Sequence, residues 1–371
     1  MPRRDKKRGT KVRYAVVGAG HVAQKSILPG FAGARRNSEL VALISSDPEK
    51  RRTLGRRYGL KHLGDYREFE QVVARAGADA VYIATPNRAH REYVERAARA
   101  GLHVLCEKPL ASSGEDCRAM IEAVSRAGVK LMVAYRLHFE EANLEALQIV
   151  RSGRLGRPML LEATFTRQAS GGDSKTQVGG GALLDVGIYC VNAARSLFAD
   201  DPEEVFGEAV IDPDPRFQGG VDATTVALLR FPGGGIASIT SSQTAARVSW
   251  FRLVGEKGSL ELQQAFSYAG ERRRCLTLDG RTRVRTFRAA NQFGAEILYF
   301  SRCIIENREP EPDGREGLAD VRVLEGILES AAARAPVRLE SLPRRRGPTP
   351  DQRIVLSPIR QPPGEIRSRK R

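Results

Sequence analysis

The sequence predicts two domains of different architecture: a doubly wound α/β domain with a parallel sheet, then an α+β domain built on a large, mainly antiparallel open sheet. Three observations carry this. Over residues 11–135, short apolar β-branched runs alternate with helical stretches, the pattern of a parallel sheet covered on both faces. From about residue 136 the apolar runs lengthen and turn residues separate them, as in antiparallel sheets. A glycine-rich turn, Gly18-Ala19-Gly20-His21-Val22-Ala23, stands between the first strand and the first helix.

In order along the chain, strands are expected at 12–17, 40–45, 80–84, 103–106 and 131–134. Helices are expected at 22–34, 48–58, 88–100 and from Ser112 to Gly128. Pro48 suits a first helical position, where its missing N–H leaves no bond unmade. Ser112 and Glu115 read as a capping box. A helix near 140–152 leads into strands at 159–165, 205–211, 224–231, 236–241 and 248–255, with turns at 232–235 and 256–258. Further helices are expected near 183–197, 295–306 and 314–333. The resulting units are a basic N-terminus (1–10), the α/β domain (11–135), the α+β domain (136–338) and a basic Pro/Arg-rich tail (339–371).

The formal net charge is +16, and its location matters more than its size. Residues 1–13 hold seven basic side chains against one acidic, and residues 343–371 hold nine against two, leaving about +3 for the rest. A surplus confined to the ends points to solvated tails rather than to a basic face for nucleic acid. No apolar run reaches the ~20 residues of a membrane helix, and the basic start leads into no apolar signal segment. Five cysteines (Cys106, Cys117, Cys190, Cys275, Cys303), an odd set with no C-x-x-C pair, read as reduced thiols in a cytoplasm. His62, His103 and His138 show no metal-ligand spacing, so no metal is expected.

The turn at Gly18–Ala23 has the G-x-G-x-x-A spacing of a Rossmann dinucleotide site. Gly18 permits the tight turn, and Gly20 lets a pyrophosphate approach the backbone at the helix N-terminus. Ala23 is small enough for close helix–strand packing. At the end of the second strand, an NAD enzyme usually places an acid for the ribose 2′-hydroxyl. Here Ser45-Ser46 precedes Asp47-Pro48-Glu49-Lys50-Arg51. Ser45 can donate to a 2′-phosphate and Lys50 or Arg51 can neutralise it, so NADP is expected. Asp47 keeps NAD open as the alternative.

Four motifs occur in order: Gly18–Ala23; Ala84-Thr-Pro-Asn-Arg-Ala-His90; Cys106-Glu-Lys-Pro-Leu110; and Gly179-Gly-Gly-Ala-Leu-Leu-Asp-Val-Gly-Ile-Tyr-Cys-Val-Asn192. Together they resemble the Gfo/Idh/MocA oxidoreductases, and the glucose–fructose oxidoreductase branch in particular, over roughly residues 11–338. Ile27–Gly33, Ala134-Tyr-Arg136 and Asn291-Gln-Phe293 strengthen the likeness to that branch. The resemblance implies an NADP-dependent oxidoreductase acting on a sugar or polyol, assembled as a homodimer or homotetramer through its second sheet. It implies catalytic roles for Lys108, Asp185 and Tyr189. His21, Val22, Ser45, Lys50, Tyr66, Pro86, Asn87, His90, Glu107 and Lys108 join Gly18 and Gly20 as cofactor residues. Arg136, Asn192 and Tyr268 are implied as sugar contacts. Two departures stand out. The segment 169–178 lacks the Trp-Arg pair of close relatives, and the long N-terminal arm of the secreted branch is missing.

The residue chemistry fits these roles. Asp185, Tyr189 and Asn192 are spaced i, i+4, i+7, which places them on one face of a helix. Oxidising a hydroxyl needs a base for its proton. A free phenol has a pKa of about 10, and lowering it by about three units takes about 4 kcal/mol. One ammonium ~4 Å away at an effective dielectric of ~20 supplies about that, which nominates Lys108. Other functions stay open: a non-catalytic NADP-binding regulator, a diol-, inositol- or amino-sugar-specific dehydrogenase, or a nucleic-acid binder acting through the tails.

Overall fold

The computed structural model describes residues 11–168, 180–212, 220–340, 347–359 and 364–366. The expected basic N-terminus and the polar segment 169–178 therefore lie outside the described residues.

Strands β1 (Val12–Val17), β2 (Ser38–Ile44), β3 (His62–Gly64), β4 (Ala80–Ile83), β5 (His103–Glu107) and β6 (Leu131–Ala134) form a six-stranded sheet in the order β3-β2-β1-β4-β5-β6. Every pair is parallel. Strands β4 and β6 are buried throughout, which is why they read as unbroken apolar runs. The order reverses between β1 and β4, and ligands bind such sheets beyond the carboxyl ends at that point.

Helices α1 (Pro48–Tyr58), α2 (Phe69–Ala76), α3 (His90–Arg99) and α4 (Gly114–Ala127) connect the strands. Asp47 caps α1 by accepting from the backbone N–H groups of Glu49 and Lys50, and Gly59 closes it in the left-handed conformation. The cap of α4 is Ser113, which accepts from the Asp116 N–H at 3.2 Å, rather than the expected Ser112. Ser113 has the extended backbone that a cap requires, and Gly114 opens the helix. The first crossover also departs from expectation: instead of a regular helix over 22–34, a π-helical turn (Ala23–Ile27) runs into one short α-turn (Leu28–Gly30).

Helix α5 (Glu141–Arg151) leads to the second sheet. Its strands are β7 (Pro158–Thr166), β8 (Glu204–Val210), β9 (Thr224–Arg230), β10 (Ile236–Ser242), β11 (Val248–Gly255), β12 (Gly258–Gln263), β13 (Arg272–Leu278), β14 (Arg281–Phe287) and β15 (Val337–Arg338). They lie in the order β14-β13-β12-β11-β7-β10-β9-β8-β15. Only β7 and β10 pair in parallel. A π-helical turn (Leu183–Gly187) opens into α6 (Ile188–Phe198), followed later by α7 (Gln292–Ile305) and α8 (Gly314–Ala333).

The last two helices tie the halves together. On α7, Ser301 bonds Tyr14 of β1 at 2.8 Å, and the Leu298 carbonyl accepts from Asn37 at 2.9 Å. Helix α8 packs its Gly317 against Leu110 and Val133 of the first domain, and its Ile327 against Gly207 of β8. The tail also differs from the solvated segment expected. Gln352 is wholly buried and donates to the Glu311 carbonyl at 3.1 Å, while the Asn291 N–H donates to the Leu356 carbonyl at 3.1 Å. Ile354, Leu356, Ile359 and Ile366 pack on the core around α7. The apolar residues spaced among the prolines and arginines explain why a basic stretch docks at all.

Beneath α6, Arg195 is buried among Asp201, Glu316 and Asp320, with contacts of 2.7, 3.0 and 2.5 Å. Removing the guanidinium would leave carboxylates buried without their cation. Arg195→Ala is expected to lower stability by about 3–5 kcal/mol, read from the denaturant midpoint. A loss below ~1 kcal/mol would show that the cluster relaxes by taking up protons or water.

Candidate active site

The site is assembled where the carboxyl ends of β1, β4 and β5 meet the π-helical turn before α6. Gly18 has φ +108°, and a Cβ there would lie 2.4 Å from the Ala84 carbonyl oxygen. Only glycine fits between the two strand ends. Gly20 is different: a Cβ there would meet nothing within 4 Å among the described residues. The fold does not require that glycine, so its bareness suits a ligand that approaches the backbone. The residues present thus fit a dinucleotide pyrophosphate at the start of the first helix.

At the end of β2, Ser45 is buried, and the Asp47 N–H faces its Oγ at 3.4 Å. Asp47 accepts from the N–H groups of Glu49 and Lys50 at 3.0 Å each, so its carboxylate is engaged as a helix cap. Lys50 Nζ lies 3.9 Å from Asp47, and Arg51 donates to the Ser45 carbonyl at 2.5 Å and to Asp65 at 3.1 Å. Two cations therefore flank Ser45.

Of the other expected cofactor residues, Pro86 and Asn87 sit on the loop after β4, beside Gly18. Tyr66 packs against Tyr93, with ring centroids 5.4 Å apart. His90 is a correction. It is wholly buried, its Nε2 meets the Thr85 carbonyl at 3.0 Å, and its Nδ1 meets the carbonyls of Pro109 and Leu110 at 3.0 and 3.1 Å. It locks the β4 and β5 loops together, with both ring nitrogens facing backbone carbonyls. Glu107 accepts from the Tyr82 hydroxyl at 3.1 Å, and the same hydroxyl lies 2.9 Å from Glu296. Burial, with the Glu107 charge second, pushes the Glu296 carboxyl well above its usual range.

Lys108 reaches across to the second domain. Its Nζ donates to the Asp185 carbonyl at 2.7 Å and lies 3.7 Å from Asp185 Oδ1. It also sits over the Tyr189 ring, 4.5 Å from the centroid. Asp185 Oδ2 accepts from Arg167 at 2.6 Å and from Gln243 at 2.8 Å. Sequence reasoning missed both partners. Arg167 follows β7 and Gln243 follows β10, and no motif marks either. Asp185 and Tyr189 line a cleft of about 500 Å³ whose walls include His21 and Val22 of the glycine turn and Tyr268 of the second domain. The two groups of expected residues thus share one cavity.

Three expectations change here. Asn192 does not join the cleft: its Oδ1 accepts from His138 at 2.8 Å and its Nδ2 donates to Asp320 at 2.8 Å. Tyr189 and Asn192 both lie in the regular helix α6, but Asn192 sits almost one turn further along it, against His138 and Asp320. Arg136 is buried behind the cleft wall rather than in it. Its guanidinium stacks 3.9 Å from the Tyr268 ring centroid and 4.9 Å from that of Tyr189, and donates to Gln292 at 2.7 Å. Finally, Lys108 faces the Tyr189 ring and not its oxygen. Burial pushes the Tyr189 phenol well above its ordinary range; the nearby Arg136 charge opposes this most, and Tyr268 adds to the rise. The two phenol oxygens are 3.4 Å apart.

The two glycines should separate experimentally. Gly18→Ala is expected to destabilise the fold by about 2–4 kcal/mol, through the clash and the backbone strain together. Gly20→Ala should leave the melting temperature within about 1–2 °C of the parent and weaken dinucleotide binding. Paired thermal melts and binding titrations decide; equal losses of stability would refute a ligand-driven role for Gly20.

Comparison with known proteins agrees with this geometry. Residues 12–135 match the model of an oxidoreductase family with an NAD-binding Rossmann fold, and residues 143–261 match the GFO/IDH/MocA C-terminal domain. D-xylose 1-dehydrogenase [NADP(+)] of Haloarcula marismortui is 32% identical over 342 residues, 89% of this chain and 93% of that protein. Inositol 2-dehydrogenase of Rhizobium meliloti is 26% identical over 88% of this chain and 99% of that protein. Among solved structures, aldose-aldose oxidoreductase from Caulobacter crescentus, complexed with glycerol, superposes with a TM-score of 0.83 at 37% identity, covering 89% of this chain and all of that one. The chain belongs to the Gfo/Idh/MocA oxidoreductase family.

Proposed function

We propose that this protein is an NADP-dependent oxidoreductase that moves a hydride between the cofactor and an aldose or related polyol. One observation carries this reading: Asp185 and Tyr189, both held from behind by Lys108, line a cleft whose walls include His21 and Val22 of the glycine turn. Ser45, Lys50 and Arg51 suit a 2′-phosphate, and Asp47 is occupied as a helix cap, which favours NADP over NAD. The NADP named for the xylose dehydrogenase relative supports the same choice.

NADP supplies or accepts the hydride at its nicotinamide. In the oxidising direction, Tyr189 takes the proton of the substrate hydroxyl while hydride leaves the same carbon, so an aldose hemiacetal becomes a lactone. Asp185 orients the substrate, with Arg167 and Gln243 fixing one of its oxygens. Lys108 holds Asp185 and the Tyr189 ring in register. Arg136 opposes the effect of burial on the phenol, and Tyr268 hydrogen bonds Tyr189 at the cleft wall. An inositol- or diol-specific dehydrogenase would use the same residues, and the inositol dehydrogenase relative keeps that substrate class in view.

The outer face of the second sheet exposes Leu160, Phe206, Val226, Leu228 and Ile236 on adjoining strands. An apolar face of this kind marks a protein interface. We assign it to a second copy of the chain, making a dimer or tetramer. All five cysteines are free, which fits a cytoplasmic location. No helix among the described residues is long and apolar enough to cross a membrane.

Turnover should be followed as reduced nicotinamide appears when aldoses and polyols are added with NADP or NAD. Lys108→Ala and Tyr189→Phe are each expected to lower kcat by about 10²–10⁴ while NADP affinity changes only a few-fold. Near-normal rates in both would overturn the assignment. Ser45→Asp should move the preference toward NAD, and an unchanged NADP/NAD ratio would refute the 2′-phosphate site. The raised phenol also sets a pH dependence. Oxidation needs ionised Tyr189, so its rate should climb by about tenfold per pH unit from 6 to 9. Carbonyl reduction, in which the neutral phenol donates, should stay nearly level over that range. A flat oxidation profile would exclude Tyr189 as the base.

A further inference from the structure

Tyr189 is 4% exposed, and its surroundings limit where its proton can go. The Phe165 ring meets it edge-on, with centroids 5.5 Å apart, and the Phe266 ring stacks at 6.3 Å. Lys108 Nζ lies 4.5 Å from its ring centroid and the Arg136 guanidinium 4.9 Å. Both are cations with donors and no acceptor. The Tyr268 hydroxyl is different. It lies 3.4 Å from the Tyr189 hydroxyl, and a phenol can take a proton on its oxygen while giving up its own. Among the described groups in ring, ion or hydrogen-bond contact with Tyr189, it alone does both.

Tyr268 also leads outward. It stands on the loop between β12 and β13, is 42% exposed, and lines the same cleft as Asp185 and Tyr189. Its position is fixed by packing. The Arg136 guanidinium lies 3.9 Å from its ring centroid, and the Phe293 ring stacks on it at 6.1 Å. Arg136 is itself held by Gln292 at 2.7 Å and by the Phe266 carbonyl at 2.5 Å. Burial opposes ionisation of Tyr189, Arg136 favours it, and Tyr268 and Glu107 oppose it. Because Arg136 stacks on both rings, negative charge on either phenol oxygen stays near one cation.

We propose that Tyr268 is a proton relay: the proton that Tyr189 takes from the substrate hydroxyl leaves for water through the Tyr268 oxygen. The relay rests on the oxidoreductase reading above, with Tyr189 as the base. Oxidation of an aldose yields lactone, reduced cofactor and one proton. Hydride leaves the carbon for the nicotinamide, and the hydroxyl proton goes to the ionised Tyr189 oxygen. Tyr189 then passes it to the Tyr268 oxygen as the Tyr268 hydroxyl proton goes to water. That restores ionised Tyr189 and neutral Tyr268. The same route ionises the resting phenol before hydride transfer, and it runs backward in carbonyl reduction.

The test uses the full chain, NADP, and whichever of D-xylose, D-glucose and myo-inositol it oxidises fastest. Tyr268→Phe keeps the ring between Arg136 and Phe293 and removes only the relay oxygen. Its kcat for oxidation at neutral pH is expected to fall by about 10–10²-fold, with both KM values within about threefold of the parent. Adding a small diffusible base such as imidazole should restore kcat by at least about fivefold, while the parent shows no such response. Tyr268→His, which returns a titratable group, should exceed Tyr268→Phe by at least about threefold, with a rate that rises through about pH 6.5. Parent-like kcat in Tyr268→Phe would overturn the relay. So would a loss that appears in the sugar KM or that imidazole does not repair, since packing or sugar contact would then explain it. Thermal melts check folding, and if Tyr268→Phe melts early, Tyr268→His and its pH profile decide. No oxidation by the parent, or full turnover by Tyr189→Phe, would overturn the reading beneath the relay. Turnover that needs Tyr189 but not the Tyr268 hydroxyl overturns the relay only.

Discussion

An ammonium and a carboxylate taken out of water together hold the two halves of this protein in register. Lys108 stands at the end of β5 and Asp185 in the turn before α6, and their side chains are only 3% and 10% exposed. Burying either ion alone costs several kcal/mol, so Lys108 is tolerated because Asp185 is there, and Asp185 because Lys108 and Arg167 are. The arrangement extends beyond the pair. Lys108 also donates to the Asp185 carbonyl, and Arg167 and Gln243 take the far carboxylate oxygen. The relative position of the domains and the geometry of the cleft are therefore one constraint. A shift of the second sheet would strand a buried charge before it changed any surface contact.

Tyr189 shows two electrostatic effects in competition. Desolvation favours the neutral phenol, and the Arg136 guanidinium, 4.9 Å from the ring centroid, favours the ionised one. Desolvation wins in the ligand-free protein. The resting phenol is consequently a proton donor, suited to carbonyl reduction as it stands. In the oxidising direction, a further positive charge near the phenol would have to shift the balance. On the proposed reading, oxidised NADP held in this cleft would bring such a charge and favour the ionised phenol in the direction that needs a base.

Much of this was legible in the sequence because the chemistry is local. Gly18 and Gly20 sit in a turn of fixed length, Lys108 lies next to a strand end, and Asp185 and Tyr189 are four residues apart. What the sequence did not disclose depends on direction or distance. His90 was assigned to the cofactor, but its ring turns inward to three carbonyls, and nothing in its neighbours encodes that rotation. Asn192 keeps α-helical spacing from Tyr189 but meets His138 and Asp320 one turn on, and the π-helical turn at Leu183–Gly187 that carries Asp185 leaves no mark in the spacing. Such turns recur at functional sites, and one also opens the helix after the glycine turn. Arg167 and Gln243 come from separate strands and meet Asp185 only in the folded chain. The β13–β14 hairpin is rich in arginine and threonine, so apolar patterning does not mark it in the sequence. Asp279-Gly280 was the available signal: both residues have positive φ (49° and 71°), as a two-residue type I′ hairpin demands.

The basic surplus acquires a physical explanation once its neighbours are known. Strand β14 is a free sheet edge, exposed from Arg281 to Thr286, and it carries Arg281, Arg283 and Arg285. Charged side chains on an edge discourage pairing with the edge of another chain. Arg285 is also bound to Glu141 and Glu145 of α5, and Arg353 of the tail meets the same Glu141. One acidic helix thus receives cations from the sheet edge and from the tail root. In the described tail, Arg353 stands directly before Ile354 and close to Leu356, which dock on the core around α7. Within a body that carries only about +3 of the formal +16, these arginines are accounted for by edge protection and by pairing with α5.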